Sequence, residues 1–271
     1  MSTRGGLAMP ETHINELHQS KSWASLEDRV VIITGAAGVI GRTLCLGLAR
    51  AGARIVAADL VEPESVVEEI EAQGGRGVAV QVDITEPDAT ESLADQAIDR
   101  FGRIDVLVNN AGFFRAASRG GFADIPLEEW DQAFRVNVRG SWLCSRAVLP
   151  AMRRQGSGRI IHVGSNTVFR GVPGFLHYVT SKSALTGMTR AMASELGPDG
   201  ISVNLLCPDF IPDPDLLAAQ PGNNERLVAQ RCFKRTQEPE DLVGGVLFLA
   251  GPGSDFVTGQ SLVVNGGAYF L

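Results

Sequence analysis

Short, almost wholly apolar runs recur along the chain and alternate with longer stretches whose apolar positions return every third or fourth residue. "RVVIITG" (29–35), "RIVAADL" (54–60), "GVAVQVDI" (77–84), "IDVLVNNAG" (104–112), "RIIHVGS" (159–165), "ISVNLLCP" (201–208) and "GQSLVVNGG" (259–267) are of strand length. Between them, "ESVVEEIEAQGG" (64–75), "DATESLADQAIDRFG" (88–102), one long segment at 128–158 and "PEDLVGGVLFLAG" (239–251) read as helices, most of them closed by glycine. Strands that are apolar throughout and alternate with helices predict a parallel sheet covered on both faces. The expected fold is α/β: a single doubly wound (Rossmann) domain with a seven-stranded parallel sheet over 26–271.

Residues 1–25 stand outside this rhythm. They have no apolar core segment and carry acidic residues and histidines, so they read as a flexible arm and not as a secretory signal or transit peptide. No run is long enough to span a membrane as a helix. A net charge of −7 argues against a nucleic-acid groove or an anionic membrane surface as partner. Cys45, Cys144, Cys207 and Cys232 are far apart, with no CxxC and no histidine cluster. That excludes a disulfide framework and a metal site from the expectations and fits a reducing cytoplasm.

Candidate chemistry begins at "TGAAGVIG" (34–41), which joins the first strand to the first helix. Glycines there let backbone approach a pyrophosphate, and the helix N-terminus presents free N–H groups to it. Asp59 ends the second strand about twenty residues on, where a carboxylate accepts hydrogen bonds from an adenosine ribose and repels a 2′-phosphate. NAD is therefore expected over NADP, with Arg42 solvated in the first helical turn. Asp83, ending the third strand, can reach the adenine edge or cap "TEPD".

A second constellation lies in "HYVTSKSALTGMTRAMASELG" (177–197), a largely apolar helical pattern headed by Tyr178 and Lys182. Residues i and i+4 share a helix face. A free phenol has a pKa of about 10, and an adjacent ammonium favours its ionised form. Taken alone the pair reads as a lysine snorkelling beside a core tyrosine; only together with the other motifs does it become a candidate general acid/base at Tyr178. Phe113, Phe114, Phe169, Phe175 and Phe210 lie on loops at strand carboxyl ends, where this fold holds ligands, and suggest an apolar pocket. His162 reads as a core histidine and His177 as a residue of the pocket rim.

In combination these motifs resemble the short-chain dehydrogenase/reductase family over about residues 26–270. The cofactor turn supplies Thr34, Gly35 and Gly41, "NNAG" stands at 109–112, and "VVNGG" closes the chain. The family's tetrad maps onto Asn137, Ser165, Tyr178 and Lys182. The resemblance implies NAD(P) held by Gly35, Gly38, Val39, Ile40 and Gly41, by Asp59, Leu60, Asp83 and Ile84, and by Asn110, Ala111 and Gly112. Pro208, Ile211, Tyr178 and Lys182 complete that contact. It implies Ser165 on the substrate oxygen, Lys182 also on the ribose hydroxyls, and Asn137 holding a water behind the lysine. The substrate pocket is expected from Phe113, Phe169, His177 and Phe210, under a lid at 209–235.

Three positions depart from the family pattern. Val39 occupies the middle-glycine position of the turn, Asp209 replaces the glycine after Pro208, and Asp213 stands where a threonine typically touches the nicotinamide amide. The expected function is NAD-dependent interconversion of a secondary alcohol and its ketone. The alternatives are a β-ketoacyl thioester reductase and a catalytically idle NAD-binding regulatory subunit. The resemblance further implies a homotetramer, packed through the helices at about 127–155 and 178–197 and, at a second interface, through 239–251 and "VVNGG".

Overall fold

The structure, a computed structural model, describes residues 25–219 and 221–270; nearly all of the arm at 1–25 lies outside the described residues. Seven parallel strands are β1 (Val30–Thr34), β2 (Arg54–Asp59), β3 (Arg76–Gln81), β4 (Val106–Asn109), β5 (Gly158–Val163), β6 (Ile201–Pro208) and β7 (Ser261–Val264). They form one sheet in the order β3-β2-β1-β4-β5-β6-β7. Every neighbouring pair is parallel, for example Ile32 opposite Val56 and Leu107 opposite Ile160.

Side chains alternate between the two faces of a strand, and the apolar runs divide accordingly. Val31 and Ile33 join one core with Ile55, Ala57, Val106 and Ile161. Val30 and Ile32 join the other with Val56, Ala58, Leu107 and Ile160. The first core is closed by α1 (Val39–Arg50), α2 (Glu64–Ala72) and α10 (Val243–Ala250). The second is closed by α3 (Pro87–Phe101), α5 (Ser141–Gln155) and α7 (Leu176–Leu196). Continuous hydrophobicity in the strands is thus explained by burial on both sides.

The long segment expected as one helix is interrupted. It runs as α4 (Leu127–Phe134), a π-helical turn (Arg135–Gly140) and α5. Gly140 lies in that turn, where an added Cβ would stand 2.7 Å from Ile84 Cδ1. The third strand stops at Gln81, before Val82–Ile84, and the helix at 239–251 begins as a 3-10 turn (Pro239–Leu242). A short α6 (Thr167–Arg170) follows β5, and the irregular segment after β6 carries α8 (Pro214–Ala219) and α9 (Asn223–Gln230).

Candidate active site

Strand order reverses between β1 and β4, and their carboxyl ends open a cleft of about 680 Å³ at that switch point. On one side is the Gly-rich turn. Gly35 has φ +69°, a conformation that side chains with a Cβ rarely adopt. An added Cβ at Gly41 would meet Gly35 O at 2.0 Å, so the turn closes only with glycine there. Thr34 Oγ1 accepts the backbone N–H groups of Asn110 and Ala111, each at 3.1 Å. Asn110 Nδ2 donates back to Thr34 O and Gly35 O at 2.9 and 3.2 Å. The two loop motifs therefore brace one another across the switch point.

Asp59 lines the same cleft, accepting Ala37 N–H at 2.9 Å and Val61 N–H at 3.2 Å. Leu60, Asp83 and Ile84 line it beyond. Asp83 Oδ1 accepts both N–H and Oγ1–H of Thr85 at 2.8 Å, two residues on in the turn before α3. Arg42 is not free in solvent; it is paired with Glu69 on α2. Val39 opens α1 as a half-exposed side chain at the cleft edge, next to Gly38, Ile40 and Gly41.

Ser165, Tyr178 and Lys182 meet on the opposite wall. Ser165 Oγ accepts Thr167 N–H at 3.2 Å and Thr167 Oγ1–H at 2.9 Å, and stands near enough to the Tyr178 hydroxyl to act on its ionisation. Burial pushes the Tyr178 phenol up to about 12; the Ser165 side chain and the Arg119 charge act against it. Lys182 makes no hydrogen bond to this hydroxyl among the described residues. The buried Lys182 ammonium donates instead to Val163 O at 2.8 Å, and burial lowers its own pKa to about 8.

Asn137 sits in the π turn, fully buried. Its Oδ1 accepts Phe113 N–H at 2.7 Å and its Nδ2 donates to Ser181 Oγ at 2.9 Å. Its side-chain amide therefore binds the loop after β4 to α7, and it stands behind the cleft wall, not on it.

The aromatic wall differs from expectation. Phe113 and Phe210 line the cleft, as do Phe114 and Phe175, whereas Phe169 and His177 do not. Phe169 packs on Leu185 and Leu205 under α7. His177 is fully buried behind Phe113 and Phe175, because neighbours in sequence on a helix point about 100° apart. Phe175 stacks on Tyr178 with centroids 4.5 Å apart and 22° between planes. The guanidinium of Arg119, a residue that sequence reasoning missed, lies 3.6 Å over the other part of this stack, at the Phe175 centroid.

The unusual carboxylates also find places. Asp209 is buried against Arg231, and Asp213 pairs with Arg115 while accepting Leu216 N–H at 2.9 Å in the first turn of α8. Pro208 and Ile211 remain on the cleft wall. Among the described residues no cluster of His, Cys, Asp or Glu suits a metal ion, and no helix is long and apolar enough to cross a membrane.

A family model described as enoyl-(acyl carrier protein) reductase matches residues 35–269. A solved structure of a candidate short-chain alcohol dehydrogenase from Sinorhizobium meliloti 1021 superposes with a TM-score of 0.83 at 28% identity, covering 91% of this chain and 98% of that one. The chain belongs to the short-chain dehydrogenase/reductase family. As a short-chain dehydrogenase/reductase it is an oxidoreductase of CH–OH groups that uses NAD(P).

Similar members of the family include the (2S)-[(R)-hydroxy(phenyl)methyl]succinyl-CoA dehydrogenase subunit BbsD of Thauera aromatica, 38% identical over 89% of this chain and 97% of that one. The 2-dehydro-3-deoxy-D-gluconate 5-dehydrogenase of Escherichia coli K12 is 34% identical over 90% and 96%. A candidate NAD(P)-dependent gluconate 5-dehydrogenase from Beutenbergia cavernae, solved with NADP at low occupancy, gives a TM-score of 0.83 at 35% identity, covering 91% and 99%.

Proposed function

We propose that this short-chain dehydrogenase/reductase is NAD-dependent and interconverts a secondary alcohol with its ketone, Tyr178 serving as general acid/base. The observation that carries the reading is the convergence of Ser165, Tyr178 and Lys182, the last one helical turn from the phenol, on the wall of the cleft that also holds the Gly35–Gly41 turn. That turn fits a dinucleotide: Gly41 lets the turn close on Gly35, the α1 N-terminus has no side-chain cap, and an added Cβ at Gly38 would meet nothing nearer than Gly35 O at 3.4 Å.

Asp59 supports NAD over NADP, since Arg42 is engaged by Glu69 and the arginines lining the cleft stand at its other end. Gly35, Gly38, Val39, Ile40, Gly41, Leu60 and Asp83 would hold the adenosine and pyrophosphate. Ile84, Asn110, Ala111, Gly112, Pro208 and Ile211 would flank the ring. Bound NAD supplies a positively charged hydride acceptor. Toward an alcohol, Tyr178 takes the hydroxyl proton; toward a ketone, it returns one. Ser165 holds the substrate oxygen at that phenol. Lys182, charged and buried, keeps positive potential behind the phenol without touching it, while Asn137 fixes the loop that carries Phe113. Phe113, Phe114, Phe175 and Phe210 exclude water from the reacting carbon.

A panel of secondary alcohols with NAD tests this by the appearance of NADH. No turnover, with NAD still raising the melting temperature, would select the idle regulatory reading. A β-ketoacyl thioester reductase is a second reading, favoured by the curated 3-oxoacyl-[acyl-carrier-protein] reductase of Staphylococcus epidermidis at 34% identity over 89% of this chain; strong preference for NADPH with an acyl thioester would establish it. A homotetramer is supported by exposed Trp142 on α5 and by Phe248, Phe256 and Phe270 near β7, a strand with no fully buried residue. Four unpaired cysteines accord with a reducing, cytoplasmic setting.

A further inference from the structure

Four arginines line the substrate end of the cleft, and they differ in how they are engaged. Arg115 pairs with Asp213 and lies 3.8 Å from Asp215. Arg170 lies 3.6 Å from Asp209, and Arg226 donates to Asn223 Oδ1 at 2.8 Å. Arg119 has no hydrogen bond or ion pair with any described residue; it lies on the face of Phe175 at 3.6 Å, and its charge acts on Tyr178 and His177. Glu129, on the neighbouring α4, directs its carboxylate to Ser118 N–H at 2.8 Å and toward His177 Nε2 at 3.6 Å.

The loop around Arg119 is fixed on both sides of it. Ser118 N–H is held by Glu129, and Gly120 N–H donates to Gly174 O at 3.2 Å. A guanidinium laid on an aromatic face keeps its N–H edge free for a planar anion, and little ordering is left to do when one arrives. This free cation stands beside the phenol in a chain whose net charge is −7, so its presence there is no reflection of a generally basic surface.

Resting on the dehydrogenase reading, we infer that the substrate is a hydroxy acid, or its keto acid, whose carboxylate is held by Arg119 while its carbinol meets Tyr178. The Phe175 ring stands between the guanidinium and the phenol ring. The carboxylate is therefore separated from the carbinol by at least one further carbon, and 2-hydroxy acids gain nothing from this contact.

The test compares 3-hydroxybutanoate and 4-hydroxypentanoate with their methyl esters, and with 2-hydroxybutanoate, using NAD and wild-type, Arg119→Met and Arg119→Lys proteins. The wild type should prefer the longer acids to their esters in kcat/KM by about tenfold to a hundredfold, the range of a hydrogen bond to a charged group. Arg119→Met should abolish that preference through KM, and Arg119→Lys should keep part of it. An acid-to-ester ratio unchanged by Arg119→Met overturns the inference, including the case where both substrates slow equally because the arginine acts only on the phenol. If the wild type oxidises no alcohol, the dehydrogenase reading fails. Calorimetric titration of the NADH-loaded protein then decides the inference separately: acid binding lost in Arg119→Met supports it, and equal binding of acids and esters overturns it.

Discussion

Arg231 Nε donates to Asp209 Oδ2 at 2.8 Å, and the two side chains are only 1% and 4% exposed. The remaining Arg231 N–H groups reach Phe210 O and Arg235 O at 3.0 Å, and Asn166 Nδ2 reaches the other Asp209 oxygen at 3.0 Å. The carboxylate that replaces glycine after Pro208 thus ties the end of β6 to the end of the lid. Removing one partner of a buried pair leaves an uncompensated charge, at a cost of about 3–5 kcal/mol. Arg231→Met should lose that much in urea unfolding, and Asp209→Asn combined with it should recover part. A loss under about 1 kcal/mol would show that the pair does not clasp the lid.

Tyr178→Phe keeps the ring stack with Phe175 and removes only the hydroxyl. Turnover should fall about a thousandfold, while NADH affinity, read from fluorescence, stays near the wild-type value. Retained turnover would move the proton transfer to another group.

Asp59→Ala removes the carboxylate from the adenosine end of the cleft together with the acceptor for Ala37 N–H. The NADP-to-NAD ratio of kcat/KM should rise by about tenfold or more as like-charge repulsion disappears. An unaltered ratio would place the ribose contact elsewhere.

His162 is fully buried on β5, with Asn109 Nδ2 3.2 Å from its Nδ1, and burial lowers its pKa from 6.5 to about 3. Below pH 6.5 the unfolded chain takes up a proton that the folded chain refuses. Stability should therefore fall with pH through that window, and this group contributes no slope above it. Between its two pKa values the wild type should lose about 1.4 kcal/mol per pH unit more than His162→Gln does. Parallel curves in denaturant titrations at several pH values would refute the assignment.

The strands were legible because double-sided burial leaves an unbroken apolar run, and β6 was bounded by "ISVNLLCP" to the residue. Tyr178 and Lys182 stood out by their i, i+4 spacing, whereas Ser165 was named only by the family resemblance; all three line the cleft. Arg119 was not: it stands in a loop without period, and its meaning depends on Phe175, far along the chain. His177 misled because adjacency to Tyr178 suggested a shared face, which a helix denies to neighbours. Asp209 was legible only as an anomaly, since its partner is the buried Arg231 of the lid. The π turn escaped because one surplus residue shifts the phase of an amphipathic pattern without breaking it.

That enlarged turn at 135–140 constrains how this chain can be edited. The wide turn absorbs one surplus residue, so excising one would return a regular α-helix whose downstream faces stay nearly where they are. Leu143, Cys144, Val148 and Met152, all buried on α5, would stay in the interior and half-exposed Trp142 at the surface. What such an excision would forfeit is the seat of Asn137, whose amide joins the loop after β4 to α7.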